Sequence, residues 1–411
     1  MTRYLATLLA VSATLPISQA ADWPQWRGPS RDATVPAAAK PWPSDLKNMA
    51  TAWKNDLAEG YSSPIIAGKR VFTVETRDKK QEIARAFDRK SGKQLWENAW
   101  DGSMKVPFFA AKNGSWVRST PATDGKSLFI GGMRDVLVAL DADTGTEKWR
   151  VDYPGRDGTP VPSFGLVSSP LIDGDHLYIQ AGAAITKVDK ETGKTAWSAL
   201  KDERAMYGSA FSSTTLATIH GKRQLVAQSR ATLAGIDPGS GSVLWQTPVK
   251  AFRTMNILTP TVVGNQIFTS TYGGGSFLFD VKKDSEAMAV AESWNDPKAE
   301  GYMSTPVIHE GHAYLHGRDK KFHCIELSSG TVKWSTDEKF GDYWSTVINR
   351  DSILALDQKG ELLLIKATPD KFTLLDRRRI SDETTYAHLA VIGNELYVRS
   401  LKSIASFRWN P

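Results

Sequence analysis

The sequence predicts an all-β fold: an eight-bladed β-propeller of four-stranded antiparallel blades, its ring closed by the N-terminal strand. Three observations carry this reading. A hairpin signature, acid-x3-Gly-x3-Trp, recurs with fixed internal spacing; a hydroxyl-rich signature precedes each copy; and a Trp-bearing strand stands alone near the start while the last unit lacks one.

The hairpin runs from Asp88 through Gly92 to Trp96. It returns as Asp141 to Trp149 with Gly145, Asp189 to Trp197 with Gly193, Asp237 to Trp245 with Gly241, and Glu326 to Trp334 with Gly330. Alternating apolar residues such as Leu137-Val138-Ala139-Leu140 lead into each copy. The acid can accept turn amides, Gly supplies positive φ, and Trp opens the next strand with a large ring to bury.

The second signature reads Ser62-Ser63-Pro64, Ser119-Thr120-Pro121, Ser168-Ser169-Pro170, Leu258-Thr259-Pro260 and Ser304-Thr305-Pro306, with looser copies at Ser212-Ser213-Thr214 and Ser345-Thr346-Val347. Its recurrence makes it structural, the start of the innermost strand of each blade, and not a set of nucleophiles. Degenerate hairpins at Asp280, Leu364-Ile365-Lys366 and Ser406-Phe407-Arg408 complete the count, with units about 46 residues apart. The strand Thr51 to Leu57, with Trp53, then completes the last blade.

Three segments follow: a secretory signal over 1–20, an extended N-terminal arm over 21–50, and one propeller over 51–411. The signal reading rests on Arg3, the apolar run Leu5 to Leu15, Pro16 and the small residues around Ala20, where cleavage is expected. That run is too short to span a bilayer. No Cys lies near the cleavage site, so no lipid anchor is expected, and the mature protein is read as soluble and monomeric, in the periplasm or secreted. In the arm, Trp23, Trp26 and Trp42 are expected to pack it along the edge of the ring. Cys324 is the one cysteine and reads as a buried apolar residue. The net charge of +6 comes without a run of four basic residues, which argues against a nucleic-acid partner.

The hairpin resembles the tryptophan-docking motif of the pyrroloquinoline-quinone (PQQ) repeat superfamily, over about residues 51 to 411. That superfamily includes quinoprotein alcohol dehydrogenases and the β-barrel assembly lipoprotein BamB. The opening Asp22-Trp23-Pro24-Gln25-Trp26-Arg27-Gly28-Pro29 is similar to the start of many exported PQQ-like proteins. One fold hosts many activities, so the resemblance speaks more for architecture than for function.

Three functions stay open. A BamB-like, non-catalytic protein-binding or scaffolding module, with an exported or envelope protein as partner, is the first. A sugar binder, lyase or hydrolase acting on polysaccharide is the second. A quinone-dependent dehydrogenase is the third, but the resemblance then implies a vicinal Cys pair and a Ca²⁺ held by Glu, Asn and Asp, and neither pattern is visible. PQQ and Ca²⁺ are therefore not expected, and no cofactor, metal or catalytic residue is assigned. His309, His312 and His316 crowd together, but Glu310-Gly311 reads as a hairpin turn between the first two. Gly273-Gly274-Gly275 reads as a turn without a following helix, not a phosphate loop.

Loops that join each Trp strand to the next inner strand should gather on one face. They carry Phe108, Phe109, Trp116, Arg118, Tyr153, Arg156, Phe164, Arg204, Tyr207, Arg253 and Asn256, which together form the candidate binding face. Later units carry Glu300, Asp342, Asp382 and Glu383, so the face is expected to be basic over the first five units and acidic over the last three.

Overall fold

The computed structural model describes residues 22–202, 211–285 and 287–409. The stretch read as a secretory signal lies outside the described residues. Eight four-stranded antiparallel sheets follow one another. Blade 1 consists of Ile65–Ala67, Arg70–Arg77, Gln81–Asp88 and Gln94–Asp101. Blade 8 takes Ala390–Ile392, Glu395–Arg399 and Ser403–Trp409 from the end of the chain and Met49–Asp56 from its beginning. Trp53 lies opposite Ser406 in that pairing, so the ring is closed by the N-terminal strand. Across the closure, Arg89 Nε donates to Glu395 at 2.7 Å, and buried Arg399 donates to Ala58 O at 2.9 Å.

Each hairpin works as its residue types require. Asp237 Oδ1 accepts from Gly239 N and Ser240 N, both at 2.9 Å, which holds its carboxyl below the usual range. The Trp ring then packs on the glycine of the next blade while its indole donates to a carbonyl there: Trp53 to Arg89 O, Trp96 to Ala142 O, Trp149 to Lys190 O. A bulge in the outer-strand pairing sits beside the Trp; in blade 1, Ala86 faces Trp96 and Phe87 faces Gln94, which turns the indole toward its neighbour.

Blade 5 departs from the pattern. Its third and fourth strands, Gly275–Asp284 and Ala287–Asp296, run on as a long hairpin that lies against the outer strand of blade 4. No acid-Gly turn is there to receive Trp245, whose Nε1 donates instead to Gln224 Oε1 at 2.6 Å in its own blade.

The N-terminal arm does not keep to the ring's edge. Its first part crosses the axis: Trp23 bridges to Ile66 of blade 1, and Thr34 to Ile348 of blade 7. Arg31 donates to Ser169 O and Pro170 O of blade 3, while Arg27 donates to Thr305 O and Pro306 O of blade 6. Both guanidiniums are buried among carbonyl dipoles, and burial pushes them down to about 9 and about 10 respectively. The later part does follow the edge, where Trp42 stacks on Trp409 and Asp45 O accepts from the Trp409 indole. Cys324 is buried and free. Among the described residues no helix is long and apolar enough to cross a membrane.

Candidate functional site

The inner segments meet around the axis in layers set by sequence register. Two residues before the hydroxyl position of each unit, which His388 takes in blade 8, stands a wall residue: Tyr61, Arg118, Val167, Phe211, Ile257, Met303, Tyr343 and Tyr386 in blades 1 to 8. All eight line one cavity of about 430 Å³.

Below them lies a ring of hydroxyls. Ser63 N donates to Thr120 Oγ1, Thr120 N to Ser169 Oγ, Ser169 N to Ser213 Oγ, Ser213 N to Thr259 Oγ1 and Thr259 N to Thr305 Oγ1. His388 N of blade 8 donates to Ser63 Oγ at 2.7 Å, and Leu389 N donates to Ser345 Oγ of blade 7 at 2.9 Å. The Ser/Thr positions thus stitch neighbouring inner segments together from blade 7 through blades 8 and 1 to blade 6, which satisfies backbone donors that no strand pairs. Next along the axis come the carbonyls held by Arg27 and Arg31, with Trp26 between the two guanidiniums at 5.5 and 5.4 Å. Trp26 and His388 form the base of a cup.

The walls are aromatic. Tyr61 sits 4.3 Å from Tyr386, Tyr343 meets Tyr386 edge-on at 4.6 Å, and the Arg118 guanidinium lies 5.2 Å from the Tyr61 ring. Burial raises the Tyr61 phenol far above its usual range and pushes Tyr343 up to about 12, so both are neutral donors at physiological pH. At the mouth, Phe109 packs on Phe164 and Phe164 on Phe211, while Phe252 packs on Tyr272.

Of the candidate face, Phe109, Arg118, Phe164 and Arg253 line the cup. Phe108 stands out at the rim, 91% exposed, and Trp116 supports the wall edge-on behind Tyr61. Three others lie elsewhere. Tyr153 is buried between blades 2 and 3. Arg156 turns outward to Asp157 and Thr195. Asn256 is buried and ties Ser229 O and Arg230 O. Arg204 and Tyr207 lie outside the described residues.

Sequence reading missed Tyr61, Tyr343, Tyr386, Trp26 and His388. The available signal was the repeat register itself, which marks the wall position in all eight units. The acids of the later units are matched locally: Glu300 by Arg318 at 3.1 Å, Asp342 by Lys320 at 3.1 Å, Asp382 by Arg379 at 3.0 Å, and Glu383 by Ser403 Oγ at 2.9 Å. His309 and His312 face each other across their turn, while His316 is buried and stacked on Trp344 at 5.2 Å. Among the described residues no three His, Cys, Asp or Glu converge on a metal position.

The family described as outer membrane protein assembly factor BamB matches residues 79–336, more than half of the chain. The chain belongs to that family. The BamB of Yersinia pestis is 21% identical over 350 residues, covering 80% of each protein. The crystal structure of BamB from Moraxella catarrhalis superposes with a TM-score of 0.63 at 16% identity, over 88% of this chain and 98% of that one. A quinohemoprotein alcohol dehydrogenase from Comamonas testosteroni superposes with a TM-score of 0.66 at 13% identity, over 94% of this chain and 80% of that one. At these identities the structural likeness speaks for the fold alone.

For this BamB-family chain the dehydrogenase likeness raises the question of a quinone and its metal. The cup lining contains no Asp, Glu or Cys. Cys324 lies in a blade core, remote from the axial lining. A hard cation needs several oxygen ligands, carboxylates among them. The residues that line the cup do not fit a Ca²⁺-bound quinone.

Proposed function

We propose that this chain is a non-catalytic binding module of the cell envelope, with a role similar to that of the outer membrane protein assembly factors to which it is related. It holds a protein partner on the face where the cup opens. The observation that carries this reading is the rim: Phe108, Phe109 and Phe252 are 91%, 50% and 40% exposed around a cavity whose lining includes two arginines and no carboxylate. Exposed apolar rings beside arginine are the composition of protein contact sites. Export is supported by the first twenty residues and by the envelope role that the relatives' name describes.

The test is capture from a periplasmic fraction, with wild-type chain and a Phe108→Asp/Phe109→Asp variant as baits, followed by mass spectrometry. A partner retained by the wild type should fall by about tenfold or more on the variant. Equal recovery on both baits would mean that another face binds. A parallel assay with added quinone, Ca²⁺, alcohols and an electron acceptor should give no turnover; turnover would replace this reading with the dehydrogenase one.

A further inference from the structure

The wall residues are sorted around the axis. Blades 7, 8, 1 and 2 contribute Tyr343, Tyr386, Tyr61 and Arg118, and the opposite arc, from Val167 to Met303, is wholly apolar. At these eight positions one half of the cup presents phenols and a guanidinium, and the other presents hydrocarbon and a thioether.

Below both arcs, each hydroxyl oxygen of the ring already accepts a neighbouring amide, as Thr120 Oγ1 does from Ser63 N. Each such hydroxyl still has its proton, and one lone pair, to offer the cavity. Arg118 donates to Gly114 O at 2.7 Å, and its Nε has no partner among the described residues. At the level of the wall residues the cup thus sets phenols and the Arg118 guanidinium opposite apolar groups; Arg253, Tyr272 and Tyr302 line the cavity on the apolar side, and no carboxylate lines either side to oppose an acid.

We infer that the cup takes a peptide segment of the partner in which a large apolar side chain stands beside a carboxylate. The apolar group lies against the Val167 to Met303 arc, and the carboxylate faces Arg118. This rests on the reading of the face as partner-binding and adds the chemistry of what enters it. A cavity of about 430 Å³ encloses one such side chain with its flanking backbone, and Phe108 and Phe109 give the rest of the segment a surface to leave along.

The experiment titrates the full-length chain into a fluorescein-labelled, end-capped pentapeptide with one Phe between two Asp, read by anisotropy. Binding should saturate. Replacing both Asp by Asn, or Phe by Ala, should each weaken it by about tenfold or more, which corresponds to about 1.4 kcal/mol per decade. Arg118→Glu should do the same, while Arg379→Glu, on the outer edge, should leave binding unchanged. If Arg118→Glu fails to fold, the peptide replacements decide alone, because they leave the protein untouched. Absence of binding, equal binding of the Asn peptide, tighter binding of a Lys-Phe-Lys peptide, or displacement by a neutral disaccharide would each overturn the inference. If the rim variant still loses its partner in those cases, the face stands and only the occupant falls; if it does not, both fall.

Discussion

The ring of Trp26 meets that of His388 edge-on, with 5.3 Å between centroids and an interplanar angle of 89°. The arm and the eighth blade therefore share the base of the cup, and the state of His388 is coupled to how the arm is seated.

Burial, and after it the charge of Arg27, push the His388 imidazole from 6.5 down to about 3. Burial also takes His316 down to about 4. A base depressed in the folded state stabilises fully above its ordinary value and loses that contribution as pH falls toward the folded value. Buried Glu82 and Asp135, each pushed up to about 7, act in the opposite sense over the same range, so the histidines are read by difference: between pH 6.5 and about 4 a His388→Gln/His316→Gln variant should gain melting temperature relative to the wild type. Parallel curves for the two proteins would assign the acid lability to other groups.

Two turn glycines separate two costs: Gly145 of the blade 2 hairpin, and Gly174 of the turn between the strands Leu171–Asp173 and His176–Ala181 of blade 3. At Gly145, with φ of +74°, an added Cβ would come within 2.5 Å of the Trp96 ring; at Gly174, with φ of +57°, it would meet nothing. Left-handed strain alone costs about 1–2 kcal/mol, and forced overlap in a packed site adds about 1–3 kcal/mol. Gly145→Ala should therefore destabilise more than Gly174→Ala in denaturant unfolding. Equal losses would mean that the indole moves aside freely.

Arg27 and Arg31 hold four carbonyls of the inner segments. Charge-assisted bonds of this kind contribute about 1.5–3 kcal/mol each, and their loss orphans buried acceptors. Arg31→Ala should lower stability by several times the effect of an exposed control such as Arg379→Ala, measured by chemical denaturation. A variant as stable as the control would show that water replaces the guanidinium at no cost.

Blade count and ring closure were legible in the sequence because each hairpin demands an acid, a glycine and a tryptophan at fixed spacing. Trp53 without a hairpin before it and Trp409 without a strand after it could only complete each other. Blade 5 was legible only as a gap, since its turn is replaced by paired backbone that needs no special residue.

The site was less legible. Tyr153 and Asn256 have the composition of contact residues, yet the fold uses them as packing and as a loop clamp. Tyr61 and Tyr386 are 325 residues apart and meet only when the ring closes. The path of the arm depends on partners as distant as Arg27 and Pro306, 279 residues apart, and no local pattern encodes that.

The shared last blade also fixes an order of events. The strand Met49–Asp56 is among the first parts of the propeller to be made, and its partner Ser403–Trp409 is the last. While the chain emerges from its N-terminus, this strand carries an unpaired edge until Ser403–Trp409 arrives. Loss of Ser403–Trp409 would therefore strip an otherwise assembled ring of its clasp, and a cell that guards the nascent propeller has to guard it until the eighth blade is made.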